Sequence, residues 1–160
     1  MQQRKSQPER RADTQRALVN AARQLFADKG YAETGTPEIV ARAGVTRGAL
    51  YHHFADKLAL FAAVVGQEQL MVAMEVNAAA AGSDEPGPVK ALTACGDAYV
   101  RAMQAPGRRQ LLLVDAPAVL GRERLAQHAT RGSAALVELV RAAIAAKAIR
   151  VVPAEPLAAL

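Results

Sequence analysis

Apolar residues recur at helical spacing from Asp13 onward. Leu18, Ala22, Leu25 and Phe26 share one face, Asp13 or Thr14 can cap the start, and Gly30 supplies a stop. The pattern predicts an amphipathic helix of about four turns. Two short helices follow, at roughly 36–43 and 47–54, separated by Gly44-Val45-Thr46. In that joint Gly44 can take the left-handed backbone that ends a helix, Val45 is an apolar plug, and Thr46 is a preferred cap for the next helix. Ile39, Val40 and Ala43 then face Val45, Leu50 and Phe54, so both helices share a small core with the first. Asp56 starts a longer helix, with Leu60, Phe61, Val64, Val65 and then residues 70–76 as its apolar stripe.

The run GSDEPGP at 82–88 is a break. Beyond it the pattern predicts a helix over 89–104, a break at Pro106-Gly107 and a short apolar segment at 110–115. A turn around Pro117 and a helix near 122–147 complete the series. There is no alternation of period two, so the expected architecture is all-α. Residues 1–12 lack apolar periodicity and carry Arg4, Lys5, Arg10 and Arg11, which reads as a flexible basic arm. Residues 13–57 form a head and residues 58–160 a helical body.

Composition agrees with packed helices: 51% of residues are hydrophobic, Trp is absent, and only three Tyr and three Phe occur. The net charge of +5 is concentrated toward the N-terminus, where residues 1–57 hold ten Lys/Arg against six Asp/Glu. That end is therefore the one expected to face a polyanion. The single Cys95 excludes an internal disulfide and reads as a small core residue. The polar N-terminus has no apolar leader, and no uninterrupted apolar run reaches the ~18 residues of a membrane span, so a cytoplasmic protein is expected. His52 and His53 are adjacent and His128 is distant, which gives no metal-ligand spacing. Asp97 and Asp115 have no nearby nucleophile or base arrangement, so neither an enzyme activity nor a cofactor is assigned.

The chemistry concentrates in residues 46–54. A helix-turn-helix places its second helix in the DNA major groove, which requires small residues at the leading end and polar ones on the outer face. Thr46 can bind a phosphate while capping, and Arg47 can reach guanine O6 and N7. Gly48 and Ala49 permit close approach to base edges or a thymine methyl, and Tyr51 and His52 point the same way one turn on. Leu50 and Phe54 point back to the core. Lys57, in the first turn of the next helix, can hold a phosphate together with the free N–H groups there.

The stretch 18–65, with LFADKGY, AGVTRGALYHHF and the following Asp56-Lys57, resembles the N-terminal domain of the tetracycline-repressor (TetR/AcrR) family. The resemblance implies a three-helix head, a long connecting helix, and a larger helical body that binds an inducer and dimerises. It also implies that Thr46, Arg47, Gly48, Ala49, Tyr51, His52 and Lys57 occupy DNA-contacting positions. Thr36, in the first turn of the first motif helix, is added to that set. Gly35 stands where the family commonly has Ser or Thr as a cap, Thr36 stands where an apolar residue is usual, and Pro37 falls in a first turn that tolerates it, so a slightly weaker cap is expected.

Residues 111–127 resemble a body subtype of the same family, with Arg122 where an aromatic commonly follows the glycine. The expected inducer cavity lies among the helices at 89–104, 108–115 and 122–147, with Tyr99, Met103, Leu112, Leu113 and Val119 as candidate lining; the competing and favoured reading is that these are ordinary core residues, since most apolar side chains at helical spacing simply pack. Family members of this kind continue past a proline-containing turn into two long dimerisation helices, whereas this sequence stops at PAEPLAAL. The body is thus expected to be C-terminally incomplete and the homodimer on a palindromic operator compromised. The leading expectation is a ligand-responsive repressor. The alternative is a truncated family member acting as a helical interaction or ligand-binding protein without DNA binding.

Overall fold

In the computed structural model, residues 6–81, 87–129 and 134–149 are described. Among the described residues the elements are, in order, α1 (Gln7–Glu33), α2 (Thr36–Ala43), α3 (Arg47–His53), α4 (Lys57–Ala81), α5 (Pro88–Ala102), a π-helix (Gln110–Asp115), α6 (Ala116–Ala129) and α7 (Ala134–Ala145). No strand occurs among the described residues.

The first helix starts six residues before Asp13, so residues 7–12 are helix rather than flexible arm. Ser6 is the cap: its hydroxyl accepts the Glu9 backbone N–H, and the Glu9 carboxylate accepts the Ser6 backbone N–H at 2.7 Å. This reciprocal capping box, with Pro8 in the first turn, starts α1 without any apolar periodicity. At the other end Gly30 leaves helical geometry (φ 81°, ψ 168°), as its position in the sequence suggests, and one further turn follows.

Leu18, Ala22, Leu25 and Phe26 of α1 pack with Ile39 of α2, Leu50 and Phe54 around α3, and Leu60, Phe61, Val64 and Val65 of α4. Phe26 and Phe61 meet edge to face at 5.1 Å, and the Tyr31 ring lies 4.8 Å from Phe61. Each fully buried Leu, Ile or Phe contributes about 1.5–3 kcal/mol from the area removed from water. The core continues into the body through Leu111, Ala116 and Leu120, so head and body share one apolar interior.

The expected stripe at 70–76 of α4 is only partly buried. Val72 packs with Ala102 and Met103, and Val76 lies against them, whereas Leu70, Met71 and Met74 are exposed. By length and composition α4 is apolar enough to cross a membrane. It also carries Glu68, which is buried in the ion-pair network described next.

One face of α1 docks on the segment between α5 and α6 through residues spaced four apart. Arg23 donates to the Pro106 carbonyl at 3.0 Å, Ala27 abuts Gly107, and the Tyr31 backbone N–H donates to Asp115 at 3.0 Å. Gly107 has a positive φ of 72°, and a Cβ there would lie 2.2 Å from the Ala27 Cβ, so only glycine fits. Beside this contact Arg108 is buried and donates to Glu68 at 2.8 Å, to Glu75 at 3.1 Å and to the Ala102 carbonyl at 2.7 Å. Arg23 donates to the other Glu68 oxygen at 3.1 Å. Burial alone would lower the Arg108 pKa, but the two carboxylates outweigh it and raise it. Removing one partner of such a buried pair typically costs about 3–5 kcal/mol, because a charge is left uncompensated.

The body departs from the expected spans. The break at 106–107 holds, but the apolar segment that follows is a π-helix, and its Leu113 and Val114 are exposed. Pro117 sits near the start of α6 and not in a turn; the interruption is at Gly121 (φ 75°, ψ 160°). The span expected as one helix near 122–147 belongs to α6 and α7. Most of GSDEPGP, and the closing PAEPLAAL, lie outside the described residues.

Candidate nucleic-acid interface

Two capped helices build the interface. Gly44 ends α2 in the left-handed region (φ 66°, ψ 31°), and its N–H returns to the Ala41 and Val40 carbonyls. The Val45 N–H also donates to Val40, which closes the turn. Gly35 brings no side chain to the start of α2, so only half of a capping box remains: the Glu38 carboxylate accepts the Gly35 N–H at 3.5 Å. Lys29 of α1 grips the same carboxylate at 2.6 and 2.7 Å and holds the Glu38 pKa below its ordinary value.

Thr46 caps α3, its hydroxyl accepting the Ala49 N–H at 3.2 Å. With Leu50 fully buried and Phe54 nearly so, Arg47, Gly48, Tyr51 and His52 are exposed on the outside of the head. The Arg47 guanidinium lies 5.6 Å from the Tyr51 ring centroid. Hydrogen bonds from Thr36 and then Arg47 hold the Tyr51 phenol below its ordinary pKa. Thr36, Arg47 and Tyr51 therefore form one polar cluster that joins the start of α2 to α3. A Cβ on Gly48 would meet nothing closer than the Thr46 hydroxyl at 3.9 Å, so nothing inside the protein requires glycine there.

Lys57 sits apart from this cluster. Its ammonium lies 4.2 Å from the centre of the Tyr31 ring and donates to the Ala32 carbonyl at 3.5 Å, which braces α4 against the end of α1. Burial lowers its pKa, against an opposing pull from Glu33. The start of α4 already has an anion: Asp56 accepts the Ala59 N–H at 2.6 Å.

His52 and His53 meet edge to face at 5.5 Å. His53, which the sequence pattern leaves out of the DNA-contacting set, lines a groove with Arg10, Arg11 and Thr14 of α1. The signal that brings these residues together is the Ser6-to-Glu9 capping box, which extends α1 far enough to pass beside α3.

The five candidate lining residues of the body do not converge. Met103 is buried and Leu112 packs against it, Val119 lies against the head core, and Tyr99 and Leu113 are exposed.

Residues 18–64 match the family model described as bacterial regulatory proteins, tetR family, and residues 89–160 match the tetracyclin repressor-like C-terminal domain. The chain belongs to the tetR family. The HTH-type transcriptional repressor BepR of Brucella suis is 40% identical over 81 residues, which are 51% of this chain and 38% of that protein. The A-factor receptor protein of Streptomyces griseus is 35% identical over 95 residues, 59% of this chain and 32% of its own length. The matched stretches thus span less than two fifths of either relative. A crystal structure of a tetR-family transcriptional regulator from Pectobacterium atrosepticum superposes with a TM-score of 0.76 at 29% identity, covering 97% of this chain and 78% of that one. The helix-turn-helix head and helical body are therefore those of the tetR family.

Proposed function

We propose that this tetR-family chain is a sequence-specific, duplex-DNA-binding transcriptional regulator, acting as a ligand-responsive repressor. The observation that carries the reading is α3 itself: capped by Thr46, anchored by buried Leu50, and presenting Arg47, Gly48, Tyr51 and His52 outward together.

In this reading α3 enters the major groove. Arg47 leaves the Tyr51 ring to donate two N–H groups to guanine O6 and N7, and Gly48 and Ala49 admit the base edges. Thr36, Thr46, Tyr51 and His52 donate to phosphate oxygens and fix the register. Lys57, at the start of α4, donates to a further phosphate oxygen. A palindromic operator requires two heads, hence a homodimer. Repression of transcription sets the site of action in the cytoplasm.

The names of the A-factor receptor protein, whose similarity extends beyond the head, and of a gamma-butyrolactone receptor whose structure matches at 28% identity with a TM-score of 0.66, support a small-molecule effector for the body. Met103 and Leu112 are the candidate lining residues that meet, between α4, α5 and the π-helix. An effector there acts on the segment that docks on α1, which is a direct route to the heads.

The test is selection of bound duplexes from a random-sequence pool by the purified protein. A recurrent motif with two related half-sites is expected. Recovery of no motif over successive rounds would sink the reading.

A further inference from the structure

The groove between the first turns of α1 and the end of α3 contains a second set of cationic side chains. We infer that this groove is a seat for the DNA sugar-phosphate backbone, flanking the base pairs that α3 reads. The inference rests on the DNA-binding reading above and adds Arg10, Arg11 and His53 to it.

Arg10 and Arg11 come from α1, and His52 and His53 from α3, so two helices supply the donors to one trough of about 580 Å³. Gln7 and Thr14 line the same trough. Arg10 and Arg11 are exposed, and His53 is partly buried. The acidic residues of these turns lie outside the lining: Glu9 is bonded to the Ser6 N–H, and Asp13 pairs with Arg16. Arg11 is close enough to His53 to lower its pKa, after burial and His52. An anion seated between them relieves that repulsion.

The position also fits a duplex. A seven-residue helix is roughly 10 Å long, against a major groove about 12 Å wide. Thr46 stands at the leading end of α3, and Arg10, Arg11 and His53 at the other end, so the helix is bracketed by donors for the two walls of the groove. Arginine suits this task, since its planar fork binds phosphate oxygens two at a time. The capping box matters here because it fixes Arg10 and Arg11 on a helix and removes the entropy cost of ordering an arm on binding.

The test uses fluorescence anisotropy with a duplex selected by the wild-type protein and a scrambled duplex, each titrated between 50 and 200 mM salt. Arg10→Ala/Arg11→Ala is expected to weaken both duplexes by about tenfold or more, to reduce the salt slope by about 2, and to keep the preference ratio, because phosphate contacts are sequence-independent. Arg101→Ala, on exposed α5, is expected to leave the slope unchanged. An unchanged slope in the double variant, with wild-type binding intact, overturns the groove and leaves the DNA reading standing. An equal effect of Arg101→Ala also overturns it, since bulk charge then accounts for the loss. Absence of duplex binding by the wild-type protein overturns both.

Discussion

The Asp115 carboxylate accepts the Tyr31 backbone N–H at 3.0 Å, immediately after α1 breaks at Gly30. An amide freed by the break in the head is thus satisfied by a side chain of the body. The other Asp115 oxygen accepts from Gln110 at 2.8 Å, which ties the bond to the π-helix. Asp115→Ala leaves a part-buried N–H without its partner and is expected to destabilise the fold by about 1–3 kcal/mol. Asp115→Asn, which keeps an acceptor oxygen, is expected to lose less. Urea denaturation of the three proteins measures both.

Gly107 packs against Ala27 with no room for a Cβ between them. Gly107→Ala is expected to cost about 1–3 kcal/mol through overpacking, in addition to the strain of a positive φ. Ala27→Gly in the same chain removes the closest contact, at 2.2 Å, and leaves the Ala27 Cα at 2.8 Å and the strain. A double-mutant cycle by denaturation is expected to return a favourable coupling between the two sites; strict additivity would contradict the described contact.

Gly48 separates folding from recognition. Nothing in the protein crowds its Cβ position, so Gly48→Ala is expected to leave the melting temperature unchanged or raise it, by up to ~1 kcal/mol of helix propensity. Close approach to base edges is what the added methyl obstructs. The same variant is therefore expected to lose affinity for the selected duplex, which anisotropy and thermal melting together will register.

The Lys29 and Gly35 contacts that lower the Glu38 pKa predict a pH dependence. A carboxylate whose folded pKa is depressed adds stability above its unfolded value near 4.5, and that stability is lost as pH falls through the lower folded value. Because Glu38 is exposed, the effect is modest and screened by salt. Denaturation midpoints between pH 7 and pH 3 are expected to fall less steeply in Glu38→Gln than in the wild type.

The head was legible because its signals are local. Gly44 and Thr46 have the backbone and the cap that their residue types favour, and Leu50 and Phe54 point inward as the spacing demands. The start of α1 was missed because apolar periodicity is silent over residues 7–12, while the Ser6-to-Glu9 box is a polar signal. In the body the decisive contacts are distant in sequence. The pairing of Arg108 with Glu68, 40 residues away, has no local signature, nor does the docking of Ala27 on Gly107. Pro117 suggested a turn, yet an early helical position accepts proline, and Gly121 carries the kink instead. At the site, the place of Lys57 in the sequence suggests a phosphate ligand, while the contacts of its ammonium with the Ala32 carbonyl and the Tyr31 ring have no local signature.

The central claim is that the exposed face of α3 reads base pairs, and Arg47 tests it most directly. Wild type and Arg47→Ala would be titrated by fluorescence anisotropy against the selected duplex and a scrambled duplex of the same composition, at one salt concentration. Loss of a bidentate guanine contact is worth about 1–3 kcal/mol of discrimination, so the variant is expected to lose roughly 5- to 150-fold of preference while binding scrambled DNA nearly as before. A variant that keeps the wild-type preference would contradict the account.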